Sequence, residues 1–328
     1  MTEHPPGKSA QRLHAMLHTA FCPAVRSALE DPATIEVMVN PDGSLWVETA
    51  GHGIRQTGEP VSAADRERVV RLVAANLGSR SAPCLVSAEL PETGARFEGI
   101  LPPVSIAPCY SIRKLTAAPF RLSDFVAQGA LSPALADRLR GLVEARANIV
   151  IAGGTSSGKT TFANALLGEA GFDGERIVLL EDIRELTCAA ANLVTLRTQG
   201  KDVTLRDLVR STLRLRPDRI IVGEVRGPEA LDLLKAWNTG HPGGLTTLHA
   251  NSAPGALSRL EQLAAEATAQ PASRLIAEAV DAVVFMTRSG GARRVGDAVR
   301  VLGHSQDGYQ TAPLLTPTLT LMSQGTQT

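Results

Sequence analysis

Aromatic side chains make up only 3% of this chain, too few for a surface that stacks exposed bases. Neither sign of charge is in excess. Lys plus Arg number 33 and Asp plus Glu 33, so the chain has no overall basic field for tracking nucleic acid. Sequence-specific nucleic-acid binding is not expected. The cysteines, Cys22, Cys84, Cys109 and Cys188, are scattered with no C-x-x-C pair, and the histidines do not cluster at metal-ligand spacing. A zinc site and a disulfide framework therefore lack support, and buried free thiols in a reducing compartment are expected. No apolar run approaches the ~20 residues that a membrane span needs. The opening MTEHPPGKSA lacks the apolar core of a signal peptide. The expected location is cytoplasmic, with any membrane association peripheral. An N-K-x-D motif for reading guanine is also missing, which weakens a GTPase reading.

What is present centres on Asn148 to Leu167, NIVIAGGTSSGKTTFANALL. It reads as a buried strand, a glycine-rich turn and a helix. Gly153, Gly158, Lys159 and Thr160 fill the phosphate-loop pattern G-x-x-x-x-G-K-[ST]. Gly153, Gly154, Thr155, Ser156, Ser157, Gly158, Lys159, Thr160 and Thr161 are the expected nucleotide-binding residues. Glycines let successive N–H groups curl toward one point, and the helix that follows aims its positive end there. Lys159 supplies a point charge for the β- and γ-phosphates, and the Thr160 hydroxyl is suited to Mg²⁺.

At 328 residues and 44% hydrophobic content the chain has room for two domains. The first, residues 1–115, reads as a smaller α+β module. It has a helix from Gln11 to Leu29, a hairpin turning at Asn40 to Gly43, a helix capped by Ser62, and strands at Cys84–Leu90, Arg96–Leu101 and Tyr110–Lys114. Residues 116–132 read as a linker containing a short helix capped at Ser123. From 133 to 328, buried strands at Ile177–Leu180, Arg219–Val222 and Leu245–Leu248 alternate with helices, which means α/β with a mainly parallel sheet. Pro254–Ala279 reads as helical, and 311–328 as a loose tail. In such folds ligands sit beyond the carboxyl ends of the strands.

Polar residues fall at those ends. Glu181 and Asp182 close one strand, Glu224 another and His249 a third. A phosphate site needs one carboxylate for Mg²⁺ and one to orient or deprotonate the attacking water. Thr160 and Glu224 are the metal candidates. Spacing does not decide which glutamate serves the water, and Glu181 is favoured. His249 is placed to sense the γ-phosphate, and His241 is ambiguous. Arg96 and Arg113 stand on strands of the first domain, either as solvated surface or as arginines that stabilise transferring phosphate.

Taken together, GGTSSGKTT, RIVLLEDIREL, RPDRIIVGEVRGPEALDLLKAWNTGHPGGLTTLHANS, ARFEGILPPVS and SIRK resemble the secretion ATPases of type IV secretion systems, over about residues 30 to 300. They correspond to that family's Walker A loop, Asp box, Walker B strand, His box and N-terminal arginine segments. The resemblance implies a RecA-like P-loop NTPase core, a homo-hexameric ring, ATP and Mg²⁺. It also implies work at the cytoplasmic face of the inner membrane with cytoplasmic and inner-membrane components of a secretion or conjugation apparatus. It implies catalytic or binding roles for Lys159, Thr160, Glu181, Glu224, His249, Arg96 and Arg113, while Arg226 is a family position of less defined role. The type II secretion and pilus-type ATPases are the nearest alternative, but their paired C-x-x-C motifs are missing here. A nucleotide kinase, a nucleic-acid-tracking motor and an ATP-binding scaffold remain as rivals. Gly223 stands where many phosphate-loop enzymes place an Asp.

Overall fold

The computed structural model describes residues 8–49, 52–76, 83–91, 93–114, 120–169, 172, 174–200, 202–289 and 292–315. The chain divides into two units, Met1–Ala118 and Pro119–Thr328.

In the first unit Pro23 splits the expected single helix into α1 (Lys8–Ala20) and α2 (Pro23–Glu30). Proline lacks the N–H an interior turn would need but suits a first helical turn. The strands are β1 (Thr34–Val39), β2 (Ser44–Thr49), β3 (Gly53–Pro60), β4 (Leu85–Glu89), β5 (Arg96–Ile100) and β6 (Cys109–Arg113), with α3 (Ala63–Asn76) after β3. They form one antiparallel sheet in the order β3-β2-β1-β6-β5-β4. Ser62 caps α3 by accepting from Asp65 N at 3.1 Å. Val37, Phe97 and Ile112 turn to one face and bury with Val25, Val69 and Val70 of the helices.

In the second unit α4 (Leu122–Ala127) and α5 (Pro133–Glu144) precede β7 (Ile149–Gly153) and α6 (Lys159–Leu167). Then come β8 (Arg176–Glu181), β9 (Asn192–Arg197), α7 (Leu205–Thr212), β10 (Arg219–Glu224), α8 (Glu229–Asn238) and β11 (Leu245–Leu248). The remainder is α9 (Ala253–Ala265), α10 (Ser273–Ala279), β12 (Ala282–Ser289), β13 (Ala292–Ser305) and β14 (Gly308–Pro313). The sheet order is β14-β13-β12-β7-β11-β10-β8-β9. The strands from β12 to β9 pair in parallel, and β13 and β14 add an antiparallel edge.

Because side chains alternate along a strand, each central strand feeds two cores. Ile149, Ile151, Ile177, Leu179 and Met286 bury against α4, α5 and α6, whereas Val150, Ala152, Val178 and Leu180 bury against α7 to α10. Phe162 of α6 is fully buried and meets Phe125 of α4 edge-on at 5.2 Å. Truncating it to Ala costs about 3–5 kcal/mol. The expected linker therefore differs from the structure: α4 belongs to the second core, begins at Leu122 rather than after Ser123, and has its first turn closed by Asp124 accepting from Arg121 N at 2.7 Å. Residues 115–119 lie outside the described residues, as does the expected loose tail from 316 onward, while Thr311–Pro313 pair as β14. The expected helix Pro254–Ala279 is two helices, interrupted around Pro271.

Candidate functional site

Strand register brings the polar strand ends to one edge of the second sheet. Leu248 pairs with Ala152, Thr247 with Glu224, and Val222 with Leu180, so Gly153, His249, Glu224 and Glu181 follow at neighbouring strand ends. The turn between β7 and α6 closes around an ammonium. Lys159 Nζ donates to Gly153 O and Gly154 O, each at 3.0 Å, although the residue is only 8% exposed. Glycine is required at both ends of the turn. A Cβ on Gly153 would meet Met286 O at 2.5 Å, and Gly158, at φ +94°, holds a left-handed conformation at the N-cap of α6. Ser156 is also left-handed, at φ 58°. Gly154 and Thr155 are exposed, Ser157 is buried, and Thr160 and Thr161 are half-buried in the first turn of α6.

The segment after β8 is fixed from two sides. Glu181 Oε1 accepts from Glu185 N at 2.9 Å and Leu186 N at 2.7 Å. Asn164 of α6 donates to Glu185 O at 3.0 Å and accepts from Thr187 N at 2.8 Å. This sets Glu185 Oε2 to accept from the Thr160 hydroxyl at 3.1 Å. The sequence reading passed over Glu185. Its signal was a second glutamate in EDIRE, on the same strand-end loop as Glu181. Asp182 is exposed. Glu181 is buried, its Oε2 has no hydrogen-bond partner among the described residues, and burial pushes its carboxyl up to about 7. Its Cγ also accounts for Gly223, where an added Cβ would come within 3.1 Å of it. A side chain at 223 on β10 would thus press tightly on Glu181 of β8.

Beyond β10, Glu224 Oε2 accepts from Arg226 Nε at 2.9 Å, and Glu224 Oε1 lies 3.0 Å from His249 Nε2. On its other side His249 Nδ1 is 3.5 Å from Lys159 Nζ. Lys159, His249, Glu224 and Arg226 thus form a continuous polar row. Burial, and then the Lys159 charge, hold the imidazole below its ordinary pKa. A neutral ring fits Nδ1 accepting from the ammonium, while Nε2 only approaches Glu224 Oε1, which makes no hydrogen bond among the described residues. Glu229 accepts from Arg226 N at 2.7 Å and Gly227 N at 2.8 Å, which secures the turn into α8. His241, left ambiguous by the sequence, has its Nδ1 3.2 Å from Ala236 O near the end of α8.

In the first unit, Arg96 and Arg113 face each other across β5 and β6, with Glu89 opposite Arg96 and Glu36 opposite Arg113. The row lies on the sheet face away from the buried Phe97 and Ile112, and each arginine has a carboxylate as its other cross-strand neighbour.

The second unit's site fits a polyphosphate and a hard cation. Ser157 Oγ is buried with no partner among the described residues, at a turn whose Gly153 permits no side chain. Thr160 and Glu185 offer oxygen donors, the type that Mg²⁺ takes. Among the described residues no helix is long and apolar enough to cross a membrane.

The pattern of the Type II/IV secretion system protein family matches residues 85–294. A conjugal transfer protein TrbB of Rhizobium radiobacter is 46% identical over 308 residues, covering 93% of this chain and 95% of the relative. The type IV secretion system protein PtlH of Bordetella pertussis is 34% identical over 304 residues, covering 80% of this chain and 88% of the relative. Among solved structures, the pilus retraction motor PilT with bound ADP superposes with a TM-score of 0.60 at 18% identity, covering 92% of this chain and 84% of that one. That likeness is one of fold, a smaller α+β unit before an α/β one. On the family match and the two relatives, the chain belongs to the Type II/IV secretion system protein family.

Proposed function

We propose that this protein is the ATP-hydrolysing motor of a type IV secretion or conjugal transfer apparatus. In this reading it works as a homo-hexameric ring at the cytoplasmic face of the inner membrane, with the cytoplasmic and inner-membrane components of that apparatus, and powers transfer of DNA or protein or assembly of a pilus. The observation that carries the reading is the buried Lys159 ammonium at a glycine-permitted turn, in one row with His249 and Glu224.

ATP is the substrate, and its β- and γ-phosphates compete with Gly153 O, Gly154 O and His249 for the Lys159 ammonium. Once Lys159 turns to phosphate, His249 Nδ1 loses its donor, and the change passes through Nε2 to Glu224. His249 is thereby the reporter of the γ-phosphate. Thr160, with Glu185 and Glu224, supplies the oxygens for Mg²⁺, which when bound neutralises charge on the phosphates. Glu181 accepts the proton of the attacking water, for two reasons. Its Oε2 is uncommitted, and its raised pKa lies near the operating pH, where a general base is most effective. Arg96 and Arg113 are assigned to stabilising phosphate charge.

Lys159→Ala tests the site. Turnover should be lost while the circular dichroism and unfolding transition stay those of the parent. ATP turnover by that variant at the parental rate would refute the assignment. Comparison of ATP with GTP turnover separates this reading from a GTPase. Arg96→Ala and Arg113→Ala should each lower kcat about 10³-fold, as loss of an arginine finger does, and unchanged kcat would return them to surface charge.

A further inference from the structure

The sheet places two arginines beside the phosphate loop that no part of the reading above uses. β12 runs parallel to β7 with Met286 opposite Gly153, and then continues beyond the end of β7 to Arg288. β13 returns antiparallel with Arg293 directly opposite Arg288 and Val295 opposite Met286. Side chains two apart share a face. Met286 and Val295 pack into the core that holds α6, so Arg288 and Arg293 stand on the α6 face. The Arg293 stem lies over the turn: a Cβ built on Gly158 would sit 3.1 Å from Arg293 Cδ and 3.7 Å from Arg293 Cβ. The two arginines stand where a polyanion is expected, and guanidinium forks match phosphate oxygens.

We propose that Arg293, seated on Gly158 and seconded by Arg288, is a phosphate-binding residue of the nucleotide site, supplied by the same subunit as the phosphate loop. The proposal rests on the nucleotide reading above and adds a second cationic wall to it, from β12 and β13 rather than from the first unit.

The experiment is equilibrium binding by the full chain of ATP, ADP and inorganic tripolyphosphate, with adenosine as competitor. The variants are Arg293→Met, Arg288→Met and Lys159→Ala. Methionine keeps an unbranched stem over Gly158 and removes only the charge. Arg293→Met should weaken ATP and tripolyphosphate about tenfold alike, a change of about 1.4 kcal/mol. It should flatten the dependence of affinity on salt and leave competition by adenosine unchanged. Arg288→Met should do the same to a smaller extent, and unfolding midpoints should match the parent. Parental affinity for tripolyphosphate in Arg293→Met overturns the proposal, and so does a loss seen for ATP but not for tripolyphosphate, which would assign Arg293 to the base or ribose. If Lys159→Ala loses binding while Arg293→Met keeps it, this proposal falls and the nucleotide reading stands. A parent that binds neither ATP nor tripolyphosphate ends both.

Discussion

Glu181 carries two duties that one substitution separates. Its Oε1 braces the backbone of Glu185 and Leu186, and its Oε2 is buried and unpartnered. Glutamine keeps an acceptor for the brace and removes the base. Glu181→Gln should therefore lower kcat by about 10²-fold or more while the loop stays in place. The stability effect has the opposite sign. Burial raises the folded carboxyl to about 7, above its unfolded value, so the native state binds more protons between those two limits. The parent should lose stability as pH rises from below 4.5 through about 7. The full loss is on the order of 3 kcal/mol, and Glu181→Gln should not show it. Parental turnover in Glu181→Gln would leave the residue as a brace only and pass the water to Glu224. His249 gives a second readout at this scale. The Lys159 charge helps hold its pKa below 6.5, so Lys159→Ala should raise it in an NMR titration, and Glu224→Gln should lower it further. A pKa unmoved by both would break the proposed row.

At the scale of elements, the loop after β8 is positioned by α6 as much as by its own strand. Asn164→Ala removes both side-chain hydrogen bonds to residues 185 and 187, at a cost of about 1–3 kcal/mol. Turnover should fall more than nucleotide affinity, because Glu185 shifts while Lys159 remains. Equal losses in both would mean the loop only supports the fold. This contact was not legible beforehand, since an Asn inside a helix gives no sign of reaching another loop. The same limit explains what else the sequence hid. Glu224 stood out because a buried apolar run leads to it through Gly223, and His249 because a glycine-rich approach leads into a strand that it ends. β3 and β9 did not, because edge strands bury little. β3 is exposed along almost its whole length and carries Gly58, and β9 is half solvent-facing, so neither shows an apolar run. Pro23 was visible, but only packing shows that it starts a second helix. Gly223 was noticed as a departure, and its reason, the Glu181 side chain, lies on a different strand.

At the scale of the whole molecule, the family match and the similarity to conjugal transfer and type IV secretion proteins connect the site to a transport role. In the proposed function, the row Lys159, His249, Glu224 and Arg226 is the second unit's means of registering whether a γ-phosphate is present. A motor needs such a device, since only a group that differs in its interactions with two states can bias them. In the proposed function, assembly of the ring and ATP turnover depend on each other. The most direct test is ATP turnover per subunit across protein concentration, with particle mass measured on the same samples. The account predicts that turnover rises as a six-fold species appears. A monomer that hydrolyses ATP at the full rate would contradict it.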